Sequence, residues 1–168
     1  SNWVPAIENR GEGIFIGFDK EKVEAWAKLP KVQDRAVQLM AGGQRLFKEK
    51  EKEFKAENFP GVAYYMLHSF AHMLITAVSL ECGYPASSIK ERIYCGKQGY
   101  GILLFTGSPD AEGTLGGLIE AGRDIHKYVK IALDMGELCS NDPVCSQHTP
   151  DNRYSDKYLL GAACHGCL

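Results

Sequence analysis

The chain is 168 residues long, with 19 basic and 21 acidic side chains and a formal net charge of −2. Hydrophobic residues make up 45% and charged residues 24%, a globular balance that excludes a disordered chain and suits one domain with a sizeable core. Near-neutrality also excludes the strongly basic surface of an autonomous nucleic-acid binder, though not a local basic face.

In chain order, residues 1–13 read as an extended lead-in, and residues 13–18 (Gly-Ile-Phe-Ile-Gly-Phe) as a short apolar strand. Asp19 is placed to cap a first helix with Val23, Trp26 and Ala27 inward, and Pro30 to end it. A second helix is expected over 31–55, where Val32, Ala36, Leu39, Met40, Leu46, Phe47 and Phe54 recur at helical spacing and Gly42-Gly43 marks a bend. Lys and Glu alternate over 48–53, the pattern of a solvated face.

Residues 61–80 contain no Lys, Arg, Asp or Glu and are long enough to cross a bilayer. His68, Ser69, His72, Thr76 and Ser79 make a buried helix of a soluble domain the better reading, with Gly83 and Pro85 closing it. Ser88 and Glu91 have the spacing of a capping box or a brief helical turn. Residues 92–95 and 101–106 read as a hairpin joined through 96–99. Helical stretches follow over 114–121 and 124–135, with Gly122 near the break and Gly136 as a stop. The expected fold class is α+β: several helices around a small, largely antiparallel sheet, with an irregular C-terminal four-cysteine lobe. No leader pattern is present in residues 1–18, so a cytoplasmic location is expected. Starting at Ser1 and stopping one residue after Cys167, the chain reads as a piece of a longer protein.

Four of the six cysteines crowd into the tail as Cys139-x5-Cys145-x18-Cys164-x2-Cys167. Two pairs separated by a loop are what a tetrahedral Zn²⁺ site requires, and the tight Cys164-His165-Gly166-Cys167 turn suits one of them. Such a site closes a segment with few apolar residues, so metal binding there is part of folding. Disulfides compete because the count is even, but nothing points to secretion. A redox pair at Cys164 and Cys167 lacks a preceding strand, and haem attachment needs a His after the second Cys. His148 and His165 are reserve ligands, while Cys82 and Cys95 read as core thiols.

Two further elements carry polar chemistry. His68 and His72, four apart, share one helix face, without the Glu of a H-E-x-x-H protease, and read first as two hydrogen-bonded histidines of a core helix. A glycine-rich loop over 107–117 leaves a strand and enters a helix, the usual place for a phosphate, but it lacks the Walker Lys and carries Asp110 and Glu112. Those carboxylates read first as caps of the following helix and second as partners of His68 and His72 in a polar pocket.

Taken in order, His68-Ser-Phe-Ala-His72, Glu91-Arg-Ile-Tyr94, Gly101-Ile-Leu-Leu-Phe-Thr106, Pro109-Asp-Ala-Glu-Gly-Thr-Leu-Gly-Gly117 and Gly161-Ala-Ala-Cys-His-Gly-Cys167 resemble the zinc-binding domain named after the mitomycin repair helicase, MZB. The resemblance runs from about residue 60 to the end, leaving 1–59 outside it, with a zinc lobe over 137–168 and one compact unit overall. It implies that Cys139, Cys145, Cys164 and Cys167 hold Zn²⁺. It also implies an accessory role beside a superfamily-2 helicase, fused in the same chain or as a separate subunit. Such domains occur in DNA repair helicases and in DrmB-like proteins of the DISARM anti-phage system. None of the ATPase motifs of such helicases is present, so the expectation is a non-catalytic module for protein docking, with DNA as a candidate contact and no membrane. The competing reading is a metal-dependent hydrolase or nuclease using His68, His72, Asp110 and Glu112.

Charge sharpens the DNA question. Residues 20–57 hold ten basic and seven acidic side chains, whereas residues 108–168 hold five and nine. A Zn²⁺ with four thiolates adds a further net −2, so the metal end is a poor phosphate contact. Elemental analysis of reduced protein is expected to find a thiolate-held zinc that Cys164→Ser releases. The same four sulfurs recovered as two disulfides would refute it.

Overall fold

The computed structural model describes residues 11–49, 53, 55, 59–83, 85–106 and 116–137. In chain order these form β1 (Gly13–Phe18), α1 (Lys20–Ala27), α2 (Pro30–Glu49), α3 (Val62–Cys82), a single 3₁₀ turn (Ala86–Ser88), β2 (Ile89–Gly96), β3 (Gly99–Thr106), α4 (Gly117–Arg123) and α5 (Ile125–Glu137). The fold is α+β as expected, five helices with a small antiparallel sheet among the described residues. The C-terminal cysteine lobe lies outside them.

β3 is the middle strand, antiparallel to β1 on one side and to β2 on the other. Ile14, Ile16 and Phe18 stand opposite Leu104, Ile102 and Tyr100, while Ile89, Glu91 and Ile93 stand opposite Thr106, Leu104 and Ile102. Side chains alternate along a strand, so all of these share the inner face. The hairpin turns through Lys97-Gln98 alone, with Gly96 paired to Gly99 at φ +140°, a tighter loop than the four residues expected.

α3 covers that inner face. Leu67, Ala71, Leu74 and Val78 recur at helical spacing and are 0% exposed, joining Ile102 and Leu104 of β3 and Leu118 of α4 in one core. Burying each large aliphatic side chain contributes about 1.5–3 kcal/mol relative to exposure. The helix stops at Gly83, which takes the left-handed φ of +72° and donates its N–H to the Ser79 carbonyl at 3.0 Å. α5 lies along α3, and Cys82 Sγ sits 3.4 Å from Tyr128 Oη. That hydrogen bond, together with burial, pushes the Tyr128 phenol up to about 12.

Several local expectations need correction. Pro30 does not simply end α1; it opens α2, where its missing N–H costs nothing because the first helical amides have no partner in the helix anyway. The described span of α2 runs to Glu49, and residues 53 and 55 are not helical, so the helix does not continue to 55. Of the two readings of Ser88 and Glu91, the brief helical turn is the one formed, a 3₁₀ turn that Ser88 closes, while Glu91 is drawn into the β2–β3 ladder and makes no capping box. Gly136 does not stop α5 but lies inside it, where its bare face admits Met73, whereas Gly122 does stand near the break, in the last turn of α4 against Ile14. Cys82 does pack against the core, but Cys95 is exposed beside the hairpin turn, as are its neighbours Tyr94 and Gly96.

The N-terminus of α4 is held from a distance. Glu12, 6% exposed, accepts hydrogen bonds from the backbone N–H groups of Gly116 (2.9 Å), Leu118 (3.2 Å) and Ile119 (3.1 Å). A carboxylate there satisfies donors that a helix start leaves free and opposes the positive end of its dipole. Asp110 and Glu112, expected in this role, lie outside the described residues. Glu12→Ala is expected to destabilise the protein by about 1–3 kcal/mol, because it strands buried N–H donors, and Glu12→Gln by less. Urea unfolding of the three proteins checks the order.

Candidate functional site

The polar row of α3 faces the one acid on the inner face of β2. Tyr64, His68, His72 and Thr76 follow one another at four-residue spacing, so they line one side of the helix. The Thr76 hydroxyl donates to the His72 carbonyl at 3.1 Å, and the Tyr64 and His68 rings lie 5.7 Å apart between centroids. On the sheet, Ile89 and Ile93 bracket Glu91 in the inward phase. Glu91 therefore points its carboxylate up at α3 rather than into solvent.

The distances are short and mutual. His68 Nε2 and His72 Nε2 are 2.7 Å apart, so in the metal-free pair one N–H must donate to the lone pair of the other. Glu91 Oε1 is 3.6 Å from His68 Nε2 and 3.5 Å from His72 Nε2. The three side chains are 28%, 23% and 25% exposed, enough to admit an ion from solvent and enough burial to restrict their rotamers. Two imidazole nitrogens and a carboxylate oxygen thus converge on one point.

His68 and His72 meet as their spacing implied. Asp110 and Glu112, expected to complete their pocket, lie outside the described residues, and Glu91 supplies the acid that the structure places there. That residue had been read as the end of a capping box or of a brief helical turn. The signal that distinguishes it is the alternation Ile89-x-Glu91-x-Ile93, which puts a carboxylate in an apolar phase. Among the described residues, His68, His72 and Glu91 are the group whose ligand atoms all lie within 4.8 Å of one another. Cys139, Cys145, Cys164 and Cys167 lie outside the described residues.

The opposite face of the sheet is uncovered by described elements and carries aromatic and basic side chains. Phe15 is 61% and Tyr94 42% exposed, their rings packed edge to face at 5.6 Å. Phe15 lies across Gly101, where a Cβ would come within 2.6 Å of its ring. Lys90 and Arg92, in the same strand phase as Tyr94, are exposed beside them. Elsewhere, no helix among the described residues is long and apolar enough to cross a membrane.

Comparison with known proteins places these features in a family. The DISARM protein DrmB of Bacillus paralicheniformis is 42% identical over 172 residues, covering 99% of this chain. The chain spans 29% of that relative's length. No solved structure matches. The model of the MrfA Zn-binding domain, MZB, matches residues 70–168, which take in His72, Glu91 and all four tail cysteines but leave His68 just outside. On that match, extending over more than half of its length, the chain belongs to the MZB family of zinc-binding domains.

Proposed function

We propose that this chain is a zinc-stabilised accessory module of a helicase-associated protein in anti-phage defence, non-catalytic by itself. The observation that carries this reading is the 42% identity, across 99% of the chain, to a DISARM protein. Residues 60–168 form the family domain, with a zinc lobe over 137–168 in which Cys139, Cys145, Cys164 and Cys167 are the ligands. Residues 1–59 add β1, α1 and α2. The module docks onto a helicase, carried in the same chain or as a separate subunit, and meets DNA as a secondary contact.

The sheet face that the described elements leave uncovered supports docking. Phe15 and Tyr94 offer a rigid aromatic pair of the kind that anchors protein interfaces, with Arg92 and Lys90 as a charged rim. Its mixture of aromatic and basic groups also suits stacked bases, so protein and DNA must be separated by experiment.

The test uses the full-length protein. Phe15→Ser combined with Tyr94→Ser is expected to abolish co-purification with the helicase while leaving the far-UV circular dichroism unchanged. A double variant that retains its helicase overturns docking through this face. One that keeps its helicase but loses salt-sensitive DNA binding would assign the face to nucleic acid instead. The hydrolase reading gains a specific observation in the His68–His72–Glu91 group, since two His and one Glu are a known catalytic zinc set. DNA cleavage that depends on Mn²⁺ or Zn²⁺ and disappears in His72→Ala would replace the accessory role with that one.

A further inference from the structure

We infer that His68, His72 and Glu91 form a second metal site, specific for a divalent transition ion of the zinc class and separate from the four tail cysteines. Three features of the fold point to it.

The first is donor geometry. A zinc-class ion held at about 2.0–2.2 Å by two imidazoles and a carboxylate, in tetrahedral arrangement, sets its ligand atoms about 3.3–3.5 Å apart. Glu91 Oε1 stands at 3.6 and 3.5 Å from the two Nε2 atoms, the separation such an ion imposes. The Nε2–Nε2 distance of 2.7 Å is shorter, that of a hydrogen bond, and the ion would have to widen it.

The second is chemistry. Both imidazoles direct Nε2 at the same point as a carboxylate oxygen, yet at 3.5–3.6 Å neither makes a hydrogen bond with that oxygen. In the neutral pair a single shared proton satisfies the two nitrogens and leaves the acid without a counter-charge. One divalent cation satisfies all three groups at once. Two nitrogens and one oxygen are borderline donors, which favour Zn²⁺ and its neighbours over Mg²⁺ or Ca²⁺, ions that prefer oxygen.

The third is placement. Glu91 occupies an inward position between Ile89 and Ile93, opposite Leu104, where an apolar side chain would extend the core at no desolvation cost. A partly buried carboxylate in that position costs free energy unless a partner compensates it. The ligands also come from two elements, an i, i+4 pair on α3 and a strand residue on β2, so the ion would pin helix to sheet. Three protein ligands leave one tetrahedral position for water or an incoming group.

This site does not rest on the accessory-module reading, and its test reads metal content alone. Full-length protein, with thiols reduced and the cysteine site loaded with zinc, is titrated with Co²⁺ and followed by visible absorption and elemental analysis. The expected result is one further equivalent whose spectrum lacks thiolate charge-transfer bands. Glu91→Gln preserves shape and packing, and His72→Ala removes a nitrogen donor. Each is expected to weaken uptake of that equivalent by more than the about 10–100-fold typical of losing an outer hydrogen-bond partner, leaving the cysteine-bound ion in place. Uptake that is absent in the wild type overturns the site. So does uptake unchanged in the His72→Ala, Glu91→Gln double variant. Circular dichroism of the Glu91→Gln protein guards against a folding artefact.

Discussion

The packing of α3 on the inner face of the three-stranded sheet is the constraint on which the rest of the molecule depends. Leu67, Ala71, Leu74 and Val78 leave no exposed surface, and Ile102 and Leu104 meet them from the middle strand. A helix without a charged residue until Glu81 has no other place to put that stripe in water. Once the stripe is buried, the rotation of the helix is set, and its polar row falls over one end of β2. The meeting of His68 and His72 with Glu91 is therefore a by-product of core packing that the chain has filled with donor atoms.

Glu12 and Glu91 show two solutions to the same problem, a carboxylate withdrawn from water. Glu12 is the more deeply buried, and three backbone amides at the start of α4 take up its charge. The bond ties the segment before β1 to a helix more than a hundred residues later, which closes the sheet's β1 side onto the α4–α5 pair. It also fills with a protein carboxylate the place at a helix start where an external anion would sit. Glu91, among the described residues, looks instead at two imidazoles. Its arrangement suits an ion from solution, whereas that of Glu12 is complete within the chain.

The two faces of the sheet divide the labour accordingly. The inner face is mostly apolar, with Glu91, Tyr100, Cys95 and the rim residue Thr106 as its polar members, and it organises the core. The outer face holds Phe15 against Tyr94, made possible by the missing side chain at Gly101. Phe15 and Tyr94 thus stay exposed on that face while the inner face is consumed by the core.

Local pattern alone determined most of the elements. The apolar run at 13–18, the Asp19 cap, the uncharged helix ending at Gly83, and the hairpin flanking residues 96–99 all follow from interactions within a few residues, and all appear where periodicity and capping place them. The pairing of His68 with His72 was legible for the same reason, since four residues make one turn and a little more of helix. Tertiary structure alone decided which acid joins them and which acid holds α4. Glu91 reaches the pair because β2 crosses under α3, and Glu12 reaches Gly116 because β1 lies beside β3; both contacts depend on strand register and helix rotation, which are set by burial of the whole core. Sequence spacing carries no information about partners brought together that way, except the faint one left when a carboxylate interrupts an apolar phase.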